Sequence, residues 1–461
     1  TSKDEVKALA RSGADIVGHG DHYVEVVAPA PGEKHSKTEV GVLAAVGLFQ
    51  KREVLVEDID TLLEPFKDRA DLGVYHTVKE VQDELTQYAK DYASICHLEV
   101  IGKSCEDRDL QAIVIGPQSG KAEGLPKFFI CGAHHSREWI SVEVPMALIK
   151  KMLTTYATDP EMKALVDSRI VWILPLVNPD GVNYSQTQSR MWRKNRRKNS
   201  DGSYGVDPNR NYGYEWGDAG SSNWPGADTY HGPKGFSEPE TSAVRDLARR
   251  EKFAADISFH SYSELVLWPW SYTEDHVAAA KEEIFKKFGA ELAKFTGYVS
   301  EKSSDLYPSA GDYDDFMFGD TGALSFTIEL GQTFIPSEGE VPRICEGNVK
   351  SCLYLIKNCE DPFPHMTLVP TAPVKGGECP VEVELNTELY PQNRPSSVTA
   401  VCATEAGKTV SHSLDQVARG DATYAGKLPA GVRNYHLEYQ AADGSTVRFP
   451  KYRELSVPGA K

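Results

Sequence analysis

A histidine and a glutamate three residues apart, in His135-Ser-Arg-Glu138, can reach around one helix turn or tight loop onto a single metal ion. A third ligand must come from elsewhere in the chain, and His260, in Ile257-Ser-Phe-His-Ser-Tyr262, is the candidate. Two imidazoles and one carboxylate leave the fourth position of a zinc ion open to water, the arrangement of a catalytic rather than a structural site. Glu329 closes the apolar run Leu324-Ser-Phe-Thr-Ile-Glu329. A carboxylate there has little reason to exist as core filler, because burying it unpaired is costly.

The elements around these residues read as alternating strands and helices. Phe128 to Ile130 is a short apolar strand that delivers Gly132-Ala-His134-His135, and Trp139 to Tyr156 is a long helix. Strands are expected at Leu98 to Ile101, Leu110 to Ile115, Ile170 to Leu176, the end of Phe253 to His260, and Leu324 to Leu330. Helices are expected at Val78 to Tyr92, Glu240 to Glu251 and His276 to Thr296. This pattern predicts an α/β domain over residues 73–365, a mixed central sheet flanked by helices with its ligands at strand ends.

Two flanking units are expected. Residues 1–72 read as a small N-terminal α+β unit of β-α-β type: a short helix from Asp4 to Ala10, a strand from His22 to Val27, a helix from Lys37 to Phe49 and a strand from Glu53 to Val56. Beyond Pro370, Thr371, Pro373, Gly376 and Gly377, short strands dominate at Val381 to Leu385, Ser397 to Ala403, Val432 to Tyr439 and Thr446 to Phe449. Residues 366–461 are therefore expected to form a C-terminal β-sandwich accessory domain without catalytic groups.

The 461 residues carry 67 acidic and 50 basic side chains, for a net charge of -17. That balance argues against general binding to nucleic acid or anionic membrane. One basic run, Arg193 to Lys198, does not reverse it. No apolar stretch approaches the length of a membrane span. The chain opens Thr-Ser-Lys-Asp-Glu, so either a leader has been removed or none existed. The eight cysteines lack paired CxxC spacing. Cys96/Cys105 and Cys379/Cys402 are candidate local disulfides. Cys345, Cys352 and Cys359 recur on one helix face, as buried thiols or as further disulfides. Disulfides would indicate an oxidising compartment.

Seven strings resemble, in order and over residues 73 to 360, the zinc metallocarboxypeptidases of the funnelin type, in the carboxypeptidase A/B branch and near its secreted bacterial members. They are His135-Ser-Arg-Glu-Trp-Ile140, Asn178-Pro-Asp-Gly181, Arg190-Met-Trp-Arg-Lys194, Gly205-Val-Asp-Pro-Asn-Arg210, His260-Ser-Tyr262, Leu306-Tyr-Pro308 and Phe326-Thr-Ile-Glu-Leu330. The resemblance implies one Zn2+ per chain, held by His135, Glu138 and His260, with neighbouring His134 not a ligand. It implies a C-terminal exopeptidase in which Glu329 takes a proton from zinc-bound water and passes it to the leaving amine. Arg193 is implied as the stabiliser of the oxyanion.

Asn209 and Arg210 resemble the pair that grips the free C-terminal carboxylate, a task suited to a bidentate guanidinium. Tyr307 resembles the tyrosine that closes over substrate, and Arg137 a residue that binds upstream of the scissile bond. Tyr262 resembles a side-chain participant along the cleft, and packing explains it equally well. Asp314 matches the position that carries aspartate in enzymes preferring C-terminal Lys or Arg. Asp312 adds a second carboxylate, Ser271 leaves the pocket floor open, and Asp315 suits a structural role. The expected substrates are peptide or protein C-termini ending in Lys or Arg. Dual basic and hydrophobic specificity and a cell-wall amidase are the alternatives, and a binding module without catalysis is the competing class. The expected protein is a secreted or extracellular monomer, with the periplasm also open. It is a zymogen if residues 1–72 inhibit the cleft intramolecularly.

Overall fold

In the computed structural model the described residues are 72–118, 122 and 124–369, most of 379–456, and within the first 49 only residues 5, 6, 8, 9, 12, 14–20, 23–27, 46 and 49. Most of the expected Lys37–Phe49 helix, the Glu53–Val56 strand and the Pro370–Gly377 linker lie outside them. The chain divides into two compact units: residues 1–122, 127–277 and 285–359, and residues 123–126, 278–284 and 360–461.

The first unit is built on an eight-stranded mixed sheet. In chain order its strands are β3 (Cys96–Lys103), β4 (Asp109–Ile115), β5 (Lys127–Gly132), β6 (Ile170–Leu174), β7 (Ala255–His260), β8 (Leu265–Trp268), β9 (Val299–Lys302) and β10 (Leu324–Glu329), and the spatial order is β3-β4-β6-β5-β7-β10-β8-β9. The four central strands, β6, β5, β7 and β10, run parallel to one another. Every residue of β6 and β7 is buried, as are nearly all of β5 and β10. That is why these segments read as continuous apolar runs rather than alternating ones.

Six of the helices that accompany the sheet are α1 (Val78–Asp91), α2 (Ile140–Thr155), α3 (Pro179–Thr187), α4 (Pro239–Glu251), α5 (Tyr313–Thr321) and α6 (Val341–Asn358). Thr77 starts α1 with a reciprocal cap to Glu80, and Asn178 caps α3 through Gly181 N. Asn178 also ties two segments together, donating from Nδ2 to the carbonyls of His134 (3.0 Å) and Lys194 (3.1 Å). Asp180 beside it accepts from Ser104 Oγ at 2.7 Å and Arg108 Nη1 at 2.6 Å. The Asn178-Pro-Asp-Gly181 string is thus scaffold. No described helix is long and apolar enough to cross a membrane.

Within the same unit, β1 (Asp15–Gly20) and β2 (Tyr23–Val27) form a two-stranded antiparallel sheet. Leu9, Ala14 and Ile16 make a small apolar cluster, against which Val24, Val26 and Tyr307 pack.

The second unit carries an antiparallel sheet of β11 (Met366–Val369), β12 (Cys379–Leu385), β13 (Val398–Thr404), β14 (Thr409–Gln416), β15 (Thr423–Leu428), β16 (Val432–Gln440) and β17 (Thr446–Phe449). Their order is β11-β12-β15-β14-β13-β16-β17, and β18 (Leu455–Ser456) pairs with β16. Val383, Val398, Ala400, Leu414, Tyr424 and Leu437 lie at its core.

The expected disulfides do not form: all eight cysteines are free. Cys96 opens β3, whereas Cys105 lies beyond its end at Lys103. At about 3.3 Å per residue their Cα atoms stand roughly 20 Å or more apart, against about 4.4–6.8 Å in a disulfide. Cys379 on β12 and Cys402 on β13 are separated by two intervening strands. Cys345 and Cys352 sit in α6 and Cys359 at its C-cap. Seven-residue steps along a helix span about 10 Å, so these thiols are packing groups, and the cysteines give no argument for an oxidising compartment.

Candidate active site

Parallel strands bring the metal-binding groups to one edge of the central sheet. β5 ends at Gly132, where a Cβ would lie 2.0 Å from the carbonyl oxygen of Ser141. Only glycine permits that approach. The chain then turns through Ala133, at a left-handed φ of 57°, with Ala133 N donating to Ser141 Oγ at 3.0 Å. This turn presents His135 and Glu138 just before α2 begins at Ile140. β7 ends at His260 and β10 at Glu329, and these two residues are paired in register.

His135, Glu138 and His260 are buried, with ligand atoms all within 4.8 Å of one another. Glu138 Oε1 lies 2.7 Å from His135 Nδ1 and its Oε2 3.1 Å from His260 Nδ1, while the two Nδ1 atoms are 3.1 Å apart. Tetrahedral zinc with Zn–N bonds near 2.0–2.1 Å spaces ligand nitrogens by about 3.3 Å. The group therefore fits one zinc ion and keeps a position open. Burial would raise the Glu138 carboxyl, but the imidazoles of His135 and His260 outweigh it and hold the group well below the usual range.

Asp207, which received no role from sequence reasoning, organises this centre. Its Oδ1 faces His135 Nε2 at 3.1 Å and accepts from Asn209 N at 2.9 Å. Its Oδ2 accepts from Arg193 Nε at 3.0 Å and Nη2 at 2.9 Å. One fully buried carboxylate thus fixes the tautomer of a metal ligand and the plane of a guanidinium. Burial opposes its charge, but Arg193 and then His135 keep it ionised. The available signal was Asp207-Pro208 opening a short helical turn, which says cap and nothing about histidine.

A cavity of about 50 Å³ beside the metal ligands is lined by Arg193, Asn209, Arg210, Tyr262, Ser271, Tyr307, Asp312, Asp314 and Glu329. Every expected site residue except Arg137 and the metal ligands themselves is in that set; His135 and Glu138 line the cavity too. Arg137 is buried with its guanidinium 4.2 Å from the ring of Phe334, which does line the cavity. Glu329 Oε2 is buried without a hydrogen-bond partner among the described residues. Burial and the nearby Glu138 push the Glu329 carboxyl well above its ordinary range.

In the acidic loop each carboxylate has its own set of partners. Asp312 Oδ1 accepts from Arg210 Nη1 at 2.7 Å. Arg210 also donates to Gly220 O (2.8 Å), Asn209 O (2.7 Å) and, from Nη2, Tyr307 Oη (3.3 Å). Among the described residues Asp314 has hydroxyl and backbone N–H partners and no cation: Ser271 Oγ at 3.0 Å, Ser303 Oγ at 2.8 Å and Asp315 N at 2.9 Å. Burial and then Asp312 push its carboxyl up to about 6. Asp315 accepts from the backbone N–H groups of Ser271 (2.8 Å) and Tyr272 (2.9 Å), a structural use.

A second convergence, of Cys105, Glu238 and Glu240, is already filled. Asn195 Nδ2 donates to Glu238 at 2.8 Å and Glu240 at 3.2 Å, and lies 3.4 Å from Cys105 Sγ. Val206 N, 2.8 Å from its Oδ1, fixes that amide's orientation.

A mixed α/β sheet carrying a buried His-Glu-His centre, an open coordination position and an adjacent carboxylate defines a mononuclear zinc hydrolase. Residues 81–351 match the family model described as zinc carboxypeptidase. The chain belongs to that family and is a zinc-dependent exopeptidase. It is 32% identical over 339 residues to a zinc carboxypeptidase of Saccharothrix mutabilis subsp. capreolus, covering 70% of this chain and 77% of the relative. To carboxypeptidase B of Rattus norvegicus it is 31% identical, covering 66% and 77%. The solved carboxypeptidase A of Helicoverpa armigera shares the fold with a TM-score of 0.64 at 22% identity, over 77% of this chain and 93% of that one.

Proposed function

We propose that this enzyme removes C-terminal Lys or Arg from peptides and proteins, as a secreted monomer. When bound, zinc supplies a Lewis acid and makes water a usable nucleophile at neutral pH. The chain's own groups do the rest. Glu329 Oε2 takes a proton from the attacking water and returns it to the leaving amine. Arg193 faces the carbonyl oxygen as negative charge develops there. Arg210, with Tyr307 and the Asn209 amide, receives the substrate carboxylate. Asn209 Oδ1 already accepts from Tyr313 N at 2.9 Å, which leaves its NH2 as the donor. Arg137, Phe334 and Tyr262 flank the upstream side. Residues 366–461 act as a β-sandwich accessory domain.

The observation that carries the specificity is Asp314, a buried carboxylate whose side-chain hydrogen-bond donors among the described residues are Ser271 and Ser303. A cationic substrate side chain gives it the counter-charge it lacks. Asp312 serves instead to hold Arg210. Matched blocked dipeptides ending in Arg and Phe test this. The Arg/Phe ratio of kcat/KM should fall as pH drops through about 6, where Asp314 gains a proton. Asp314→Asn should reduce the ratio by about 10–100-fold at pH 8, the loss of one charge-assisted contact. Equal rates on both substrates, unmoved by the substitution, would favour the dual reading.

Residues 1–72 are proposed to restrain the cleft, making the chain a zymogen. Ile16 lines the cavity, packs in the cluster that includes Tyr307, and Glu25 accepts from Tyr262 Oη at 2.9 Å. In the full chain, Ile16→Asp is expected to raise kcat/KM by about 10-fold or more, by enlarging the competent fraction. Unchanged initial rates would count against inhibition.

A further inference from the structure

The segment that carries Arg193 is not held by helix or sheet. Between α3, which ends at Thr187, and the bridge of Lys198 to Tyr204 the chain is irregular, yet Arg193, Lys194 and Asn195 are buried. Buried backbone groups need partners wherever they lie. One residue of the metal-binding loop serves the carbonyls of Trp192, Arg193 and Lys194. Ser136 N donates to Arg193 O at 3.0 Å. Ser136 Oγ donates to Trp192 O at 2.6 Å, with Lys194 O farther off at 3.3 Å. Both partners of the hydroxyl are carbonyl oxygens, which only accept, so the direction of these bonds is fixed. Ser136 is fully buried, at 0% exposure, and does not line the cavity.

We infer, resting on the reading of Arg193 as the group that faces the oxyanion, that Ser136 is a positioning residue that keys Arg193 to the His135–Glu138 loop. Asp207 fixes the guanidinium. A long side chain held only at its tip still swings if its Cα is free. Ser136 supplies the other anchor. The Trp192 carbonyl belongs to the peptide group before the Arg193 Cα and the Arg193 carbonyl to the one after it, so a single residue grips both. Ser136 follows the metal ligand His135 directly and stands two positions before Glu138. The oxyanion group and the metal ligands are thereby set from one short stretch of chain. Misplacing a group by about 1 Å can cost on the order of 10²-fold in rate. Substrate is gripped elsewhere, by Arg210, so the loss of Ser136 should fall on kcat and not on KM.

The test is a double-mutant cycle on the full-length, zinc-loaded chain, read with whichever blocked dipeptide, ending in Arg or Phe, it cleaves faster. Ser136→Ala should lower kcat about 10-fold, with KM and zinc content unchanged. Arg193→Ala should lower kcat by about 10²–10³-fold. Adding Ser136→Ala to it should cost no further rate, because the group being positioned is gone. Ser136→Cys, close in size and with a weak donor, should fall between serine and alanine, and it carries the same cycle if the alanine variant does not fold. Hydrogen exchange gives a reading without turnover. The amide of residue 136, bonded to Arg193 O, should exchange about 10-fold faster once the hydroxyl is removed. Equal losses from Ser136→Ala with and without Arg193 would overturn the clamp and leave the oxyanion reading standing. So would an unaltered kcat, a loss that follows zinc content, or unchanged exchange. Arg193→Ala at the unaltered rate would overturn both together.

Discussion

Glu329→Gln is expected to lower kcat by about 10²–10⁴-fold, the usual contribution of a general base, while zinc content stays at one per chain. Glutamine has nearly the same shape but cannot accept the proton. Glu329 is not a member of the metal-binding group, and its Oε2 forms no hydrogen bond that the amide would break. Initial rates paired with metal analysis check both halves. Turnover within tenfold of the unaltered enzyme would remove Glu329 from the mechanism, and loss of zinc would recast it as part of the metal site.

Asp207→Asn should damage two functions at once. An asparagine can keep its oxygen toward His135 and Asn209, but its NH2 then meets the guanidinium of Arg193, donor against donor. If it flips, the NH2 faces His135 Nε2 and the backbone N–H of Asn209 instead. Zinc affinity is expected to fall by about 10–100-fold through the loosened His135. The rate on zinc-saturated enzyme should fall by about 10²–10³-fold, as when an oxyanion donor is lost. Arg193→Ala is the comparison, expected to lose rate but not zinc. If Asp207→Asn lowered only one of the two, the shared-carboxylate account would fail. Chelator competition and rates at saturating zinc separate them.

Much of this site could be read from residues in order. Gly132-Ala-His-His135 after an apolar strand, His260 at a strand end and Glu329 closing another were visible because metal ligands and bases are polar groups placed where apolar periodicity stops. What could not be read was who holds whom. Asp207 lies 72 positions from His135, and Asp312 lies 102 from Arg210. No local pattern encodes such pairs. A carboxylate beside a pocket looks the same in sequence whether it awaits a substrate cation or already neutralises an arginine. One of the strands missed in the second unit, Thr409–Gln416, has an explanation too. In Thr-Val-Ser-His-Ser-Leu-Asp-Gln the exposed face is polar and only Leu414 is buried, so the apolar alternation that signals a strand is nearly absent. The cysteine reading failed for a simpler reason: nine residues of sequence look close until the strand between them is drawn out straight.

The register that sets Glu329 against His260 has a consequence in time as well as space. The two metal-binding histidines lie 125 positions apart, and the strands that carry them are neighbours only once β5 and β7 have paired. Closing a loop of that length is an entropic cost met before any contact rewards it. A newly made chain therefore has no high-affinity place for zinc until β5 and β7 have paired. Metal capture waits on a long-range pairing, and the protease acquires its reactive centre only after the intervening 125 positions have been looped out.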